Sequence, residues 1–347
     1  ELHMVIGQLP VFSKAWGNGR SIDEVLSDPP VASGPYVVER VDFGKSITYR
    51  RRKDYWAADL PVRKGMFNFD EVEYQYYRDR LGEEEALKAG SLDALEEGSI
   101  SAWVRRYNGK RFASGELVKE EISHRRATGM QGLVLNLRQP RFTDVRVRAA
   151  VALAFDFDWL NQHVFYNRRA RTQSYFQNTD DLMAGETLTP QELEMAARLP
   201  QTAALLAALR EPVFSSAETG GTPEGLRKNL VQAQHLLGDA GWRFRDGALR
   251  DTEGKAFVIT MLIPDRSSEV VLAPYARNLM RLGITLRYRL SDASLIKKRL
   301  DDFDFDMAIN ILGGSTSPGN ELYDDLGSAS AQEKGSQNLS GIQDKVV

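Results

Sequence analysis

Between residues 132 and 166 the spacing of apolar side chains switches from one element type to another. Gly132-Leu-Val-Leu-Asn-Leu137 is a short apolar run with the length of a buried strand. Gln139-Pro140-Arg141 ends it, because proline has no N–H to give to a sheet ladder. Thr143 or Asp144 then caps a helix. On that helix Val147, Ala150, Val151, Ala154 and Phe155 fall at i, i+3, i+4, i+7 and i+8, one apolar face at helical period. Asp156 closes this face and can cap a second short helix carrying Leu160 and Val164.

Before this stretch the pattern is mostly of period two. Ser33-Gly-Pro-Tyr36 sets a turn that launches a strand over 36–41, in which Val37, Glu39 and Val41 alternate with Tyr36, Val38 and Arg40. Asp42-Phe-Gly-Lys45 is the turn, and 46–52 returns as the second strand of a hairpin. Residues 69–77, rich in aromatics and valine, predict another strand, and 117–122 a further one. A helix is expected over 81–89. Its run Glu83-Glu84-Glu85 reads as helix surface near the N-terminus, where negative charge suits the helix dipole. Ser99 or Ser101 opens a helix through Trp103.

After the stretch, 167–221 is less regular. Arg171-Thr-Gln-Ser-Tyr-Phe-Gln-Asn178 is polar and aromatic without a period, the kind of loop that carries function on a rigid scaffold. Thr189-Pro190 begins a helix, 203–209 predicts a short one, and 218–222 reads as a linker-like loop. Thr222-Pro223 opens a longer helix with Leu226, Leu230, Ala233 and Leu237 on one face, stopped by Gly241. Strands at 256–263, 285–290 and 305–312 then alternate with helices at 270–282 and 293–300, which argues an α/β lobe with a mostly parallel sheet. Gly313–Gly319 reads as a flexible loop, and no internal repeat is evident.

Composition narrows the chemistry. The chain has 347 residues, enough for two domains, with 42% hydrophobic and 27% charged residues. A formal net charge of −3 gives no nucleic-acid footprint. There is no cysteine, hence no disulfide, thiolate metal site or cysteine nucleophile. His3, His124, His163 and His235 lack metal-ligand spacing. No apolar run reaches membrane-spanning length, and the first residues lack the basic start and apolar core of a signal peptide. There is no Gly-x-Ser-x-Gly elbow, P-loop or Gly-x-Gly-x-x-Gly fingerprint, and no cofactor is expected.

Several of these segments carry a resemblance. A strand ending Leu-Asn-Leu137, then Pro140-x-Phe-x-Asp-Val-Arg-Val-Arg148 and the run from Ala149 to Asn178, resembles the large periplasmic solute-binding proteins of the oligopeptide/dipeptide/nickel ABC importer family. Within it the chain is most similar to the YejA-type subgroup, which binds oligopeptides, microcin C and related peptides. Leu9–Trp16, Ser33-Gly-Pro-Tyr36, Arg52-Lys-Asp-Tyr-Trp56, Gly90-Ser-Leu-Asp-Ala-Leu-Glu96, Leu236-Leu-Gly-Asp-Ala-Gly-Trp242 and 336–347 resemble family segments in the right order. The resemblance implies an α/β fold of the periplasmic binding protein-like type II, with two lobes around a hinge and ligand cleft. It implies part of a first lobe in 1–130, a second lobe in 131–312 and a return segment in 313–347. Family members are longer at both ends, so the chain reads as an internal fragment or a truncated product.

The resemblance also implies a function. It is that of a periplasmic, monomeric, non-enzymatic receptor that captures a peptide or peptide-like ligand and delivers it to an inner-membrane ABC permease. By resemblance Gly90–Glu96 is a strand ending at the cleft, which would present Glu96 and Glu97. The crossover strand would contribute near Asn136, and the last strand through Asn310, Leu312, Gly313 and Gly314. Arg171, Ser174, Tyr175, Phe176 and Asn178 form a fourth wall. Each has a structural alternative: Tyr175 and Phe176 as packing residues, Asn136 as a partner of backbone at the strand end, and Glu96 and Glu97 as solvated charges. Several relatives place an acid just after the last cleft strand to hold a ligand amino group. Here that position reads Gly313-Gly-Ser-Thr, with Glu321, Asp324 and Asp325 coming later. The rival readings are a non-transporting fragment and a hydrolase using paired carboxylates.

Overall fold

The computed structural model describes all residues except 1–5, 8, 10, 26, 27, 180, 184–187, 200, 201, 211–217, 316 and 345–347. The chain divides into two compact units, Glu1–Glu97 with Tyr107–Lys119, and Gly98–Arg106 with Glu120–Val347.

The first unit is built on an antiparallel sheet of β1 (Tyr36–Asp42), β2 (Ser46–Arg51) and β3 (Glu71–Gln75), in that order. The expected hairpin is present, with Gly44 at φ 76° in its turn and a bulge between Val38 and Arg40. Helix α1 (Arg80–Ala89) starts where Asp79 accepts from the Gly82 N–H and stops at Gly90, whose φ of 86° suits a residue without a Cβ. Arg111 donates to the carbonyls of Leu87 and Lys88 and so covers the open end of that helix. Two expectations fail in this unit. Glu84 is 1% exposed, not helix surface, because it lies on the same face as the buried Leu87. Gly90–Glu96 forms no strand among the described residues, because a strand needs a ladder and no neighbour supplies one.

The second unit contains α2 (Ile100–Arg105), capped by Ser99, and a large α/β core. β4 (Met130–Leu135) leads through a 3-10 turn at Pro140–Phe142 into α3 (Val145–Leu153), and Asp156 caps α4 (Phe157–His163). Asp144 is the cap of α3, accepting from the Arg146 N–H. Next come α5 (Pro190–Ala196), closed by a capping box between Thr189 and Glu192, α6 (Thr202–Arg210) and α7 (Pro223–Asp239). A small hairpin of β5 (Arg243–Arg245) and β6 (Ala248–Arg250) follows. The unit continues with β7 (Val258–Ile263), α8 (Glu269–Arg281), β8 (Thr285–Leu290), α9 (Ala293–Asp301), β9 (Met307–Leu312) and α10 (Asn320–Leu326).

The predicted apolar faces are the ones that pack. Val147, Ala150, Val151 and Ala154 of the α3 region meet Leu230, Ala233 and Leu237 of α7, together with Phe142, Phe257, Ile259, Ile263, Leu272 and Leu279. Each fully buried aliphatic or aromatic side chain here contributes about 1.5–3 kcal/mol of burial free energy. Among the described residues these strands form separate two-stranded sheets, β4–β9 and β7–β8, rather than the mostly parallel sheet expected. β7 and β8 are parallel, joined by the α8 crossover, but β9 pairs antiparallel with β4. Residues 117–122 form no strand: Val118 and Ile122 are exposed on unpaired backbone. The predicted linker at 218–222 is a fastened turn, because Asp158 accepts from the Thr219 and Gly220 N–H groups and Asp156 from the Thr219 hydroxyl.

Candidate functional site

The antiparallel β4–β9 pair has two ends, and the expected site residues of the second unit divide between them. At one end Leu135 faces Met307. Asn136, just past the strand, is fully buried. Its amide donates to the carbonyls of Phe303 and Phe305, both at 2.9 Å, and its side-chain oxygen accepts from the Arg138 backbone N–H and guanidinium, both at 3.2 Å. Arg138 then reaches the carbonyls of Ala331, Asn338 and Leu339 and stacks 3.5 Å from the centre of the Phe303 ring. Asp306 beside it accepts from the Thr260 N–H and hydroxyl, each at 2.8 Å, and pairs with Arg141. The donors and acceptors of Asn136 all meet protein partners. The residue therefore holds the strand end, and with it the segment 336–344 through Leu137 N–H to Ser340.

The other end is organised differently. Met130 faces Leu312, and three stretches of chain converge there. Gly129 has φ 65°, and a Cβ on it would collide with the Leu312 carbonyl and the Gly314 N–H, so only glycine lets these strands approach. The Thr128 N–H donates to the Gln177 carbonyl at 3.1 Å. Asn178, in the left-handed region at φ 68°, donates from its amide to the carbonyls of His124 and Arg126 at 3.0 and 2.8 Å. These bonds bring the loop 171–178 against the end of β9.

The result is a narrow crevice lined by Tyr175, Phe176, Leu312, Gly313, Ser315, Glu321, Leu322, Asp325 and Leu326. Its free volume of about 10 Å³ is room for about one water molecule, so it offers an apolar edge with polar groups on it rather than a deep cavity. Tyr175 is 40% exposed. Burial and the charge of Asp325 push its phenol above the usual range, so it stays a neutral donor. Burial also pushes the Asp325 carboxyl up, and the neighbouring Asp324 and Glu321 push it the same way. An acid so placed gains from any cation brought beside it.

Among the expected residues, Tyr175, Phe176, Leu312 and Gly313 meet at this crevice. Ser174 sits behind it, accepting from the Phe176 N–H, and Asn178 braces the loop as described. Asn310 is half-buried in β9 opposite Gly132, and Gly314 is exposed beyond the strand. Arg171 is half-buried over the Phe157 ring. Glu96 and Glu97 belong to the first unit. Glu96 is exposed there, and its carbonyl accepts from Arg80. The Glu97 carboxylate is 3% exposed, 3.5 Å from Arg80, and takes the Tyr107 hydroxyl at 2.6 Å, so it is not a solvated charge.

What the sequence reading lacked was the acid. Positions 313–316 hold none, yet α10 returns Glu321 and Asp325 to the end of β9. The one signal was their spacing of four, which places both carboxylates on one helical face. Among the described residues, no group of three or more His, Asp or Glu side chains is placed to hold a metal ion, and no helix is long and apolar enough to cross a membrane.

Comparison with known proteins agrees with this architecture. The profile of the bacterial extracellular solute-binding proteins, family 5, matches residues 5–334. The chain is 34% identical over 340 residues to YejA of Escherichia coli K12, covering 98% of this chain and 55% of that protein. It is 34% identical over 360 residues to a protein of Agrobacterium fabrum named a probable peptide-binding protein YejA, covering 100% of this chain and 58% of that one. The chain thus spans a little over half the length of these relatives. Among solved structures, the periplasmic oligopeptide-binding protein of a Thermotoga maritima ABC transporter superposes with a TM-score of 0.65 at 17% identity, over 96% of this chain and 58% of that one. That likeness shows the fold, the α/β architecture of type II periplasmic binding proteins.

Proposed function

The chain belongs to family 5 of the bacterial extracellular solute-binding proteins, and on that premise we propose that it is the ligand-capturing part of an ABC importer for peptides. In this reading it works as a monomer in the periplasm, binds a peptide or peptide-like solute and presents it to an inner-membrane permease. Nothing in the mechanism calls for bond making or breaking. Ligand binding favours whichever conformation contacts it most, and the receptor delivers that state to the transporter.

The observation that carries the reading is the crevice at the end of β9. It joins strand-end backbone at Leu312–Gly313 to aromatic side chains at Tyr175 and Phe176 and to the carboxyl of Asp325. Extended peptides are recognised by this combination: main-chain groups take the backbone, an apolar edge takes a side chain, and an acid takes the amino end. The mutual repulsion of Asp325, Asp324 and Glu321 is relieved when an ammonium group arrives. Microcin C-like peptides fall in the same ligand class.

The test is calorimetric titration of the purified chain with tetra-alanine and with its N-acetylated form. Saturable one-to-one heat from the free peptide, weakened about tenfold or more by acetylation, is the expected result. Absence of heat from a cooperatively folded monomer, with tetra-alanine and with microcin C-like peptides alike, overturns the peptide reading.

A further inference from the structure

Three stretches of the second unit, far apart in sequence, are tied together around Glu121. Its carboxylate accepts from the Trp103 indole N–H of α2 at 3.1 Å and pairs with Arg168. Arg105, two residues beyond Trp103, lies over the Tyr166 ring at 5.3 Å from its centre. The Asn178 amide holds the carbonyls of His124 and Arg126. Asn161 clamps Arg169, accepting from its backbone N–H at 3.1 Å and donating to its carbonyl at 2.8 Å. Residues 103–106, 120–126 and 166–169 therefore form one surface, positioned by long-range contacts rather than by nearness in sequence.

The charge of this surface is one-sided. Arg105, Arg106, Arg125, Arg126, Arg168 and Arg169 are all exposed on it, against Glu120 and Glu121 alone, in a chain whose formal net charge is −3. Glu121 is already taken up by Arg168 and Trp103. Arg125, Arg126 and Arg169 are in no ion pair among the described residues. Aliphatic side chains stand among the arginines: Ile122, 79% exposed, follows Glu121, and Val104, 37% exposed, follows Trp103. Guanidinium groups bind phosphate oxygens through paired N–H donors, and aliphatic side chains beside them reach past a headgroup to the acyl boundary. A soluble polyanion would use only the arginines.

We propose that this surface docks the chain onto an anionic lipid bilayer, with the guanidinium groups on headgroup phosphates and Ile122 and Val104 at the acyl boundary. Each arginine near such a bilayer adds to the attraction, which falls off within a Debye length, so the contact is reversible and salt-sensitive. The inference goes beyond the peptide reading: it involves neither the crevice nor a bound ligand, and it stands or falls independently of what the crevice takes. For a receptor that serves a membrane-embedded importer, docking of this kind confines the search for the importer to the plane of the bilayer.

Sedimentation with vesicles of phosphatidylglycerol and of phosphatidylcholine tests it. The unmodified chain is expected to pellet with phosphatidylglycerol at low salt, to be released in about 1 M salt, where the Debye length is roughly 3 Å, and not to pellet with phosphatidylcholine. Combining Arg125→Gln, Arg126→Gln and Arg169→Gln, with Tm unchanged, lowers partitioning about a hundredfold. Ile122→Ser lowers it about fivefold while leaving its salt dependence intact. A control of equal charge on the same unit, Arg227→Gln with Arg281→Gln and Arg287→Gln, keeps the binding. Should the triple variant melt lower, Arg125→Gln and Arg169→Gln singly take its place, each with a loss of about fivefold. The inference is overturned by no pelleting with phosphatidylglycerol, by undiminished pelleting of the arginine variants, or by an equal loss in the control. Unchanged partitioning of Ile122→Ser, with displacement from the vesicles by polyglutamate, assigns the arginines to an acidic protein surface and overturns it. Displacement by soluble glycerol phosphate at the same phosphate concentration assigns them to a small-anion site and equally overturns it.

Discussion

The two ends of the β4–β9 pair are built from similar residues and treat them in opposite ways. At the Leu135–Met307 end, Asn136, Arg138, Arg141 and Asp306 form a connected set in which each side chain meets a protein donor or acceptor, with the buried Arg141 Nε alone among their atoms left without one. At the Met130–Leu312 end, Asp325 is pushed toward neutrality by burial and by Asp324 and Glu321, and the loop beside it carries Arg171 with no acceptor among the described residues. The first arrangement specifies structure. The second leaves charged groups less completely satisfied within the folded chain.

The contrast breaks most visibly at Asp306. Asp306→Ala leaves Arg141 as a half-buried, unpaired cation and the Thr260 N–H without an acceptor, and should cost about 3 kcal/mol in urea denaturation without changing peptide affinity in variants that remain folded. A loss under 1 kcal/mol would show that this end is not the connected set described. Asn136→Ala comes next. It strips the carbonyls of Phe303 and Phe305 of their donor, for about 2–3 kcal/mol by the same measurement.

Gly129→Ala sharpens the comparison, because it acts at the open end through the backbone. The added methyl meets the Leu312 carbonyl and the Gly314 N–H at a positive φ, which predicts a stability loss of about 1–3 kcal/mol together with weaker peptide binding, since the crevice is displaced. Unchanged affinity would separate the crevice from the ligand.

The smallest effect has the opposite sign. The folded pKa of Asp325 lies above its ordinary value of 3.8, so the fold favours its neutral form. Its contribution is full below that ordinary value and is lost as pH rises through the raised one. At pH 7 the carboxylate is therefore a net cost. Asp325→Asn should raise Tm slightly at pH 7, leave it unchanged near pH 3, and weaken binding of a free-amino peptide at pH 7. A lower Tm at pH 7 would assign Asp325 to the structural class.

Much of the fold was legible because local and global preferences agree. Val147, Ala150, Val151 and Ala154 announce a buried helical face, and Asp144 and Thr222 announce where helices start. The β5–β6 hairpin was missed although Asp246-Gly247, both at positive φ, is a strong two-residue turn signal. Residues 90–96 and 117–122 were overread as strands for the converse reason. The composition of 117–122 suits an extended chain and 90–96 was expected as a strand by resemblance, but a strand exists only where a neighbour offers its ladder. Of the residues expected at the site, Tyr175, Phe176, Leu312 and Gly313 line one crevice, and Asp325 joins them there only because α10 returns to the end of β9, which no local pattern announces.

By itself the sequence determined the elements, their caps, their buried faces and the family, because periodicity and capping are local and the motifs are contiguous. Only the tertiary structure decided which polar residues are spent and which are available. Asn136 and Arg171 look alike in sequence, each a polar residue beside a structured segment. What separates them is whether carbonyls from residues about 170 positions away arrive at hydrogen-bond distance, as they do for Asn136. Burial and long-range pairing set that difference, and neither is a property of the local sequence.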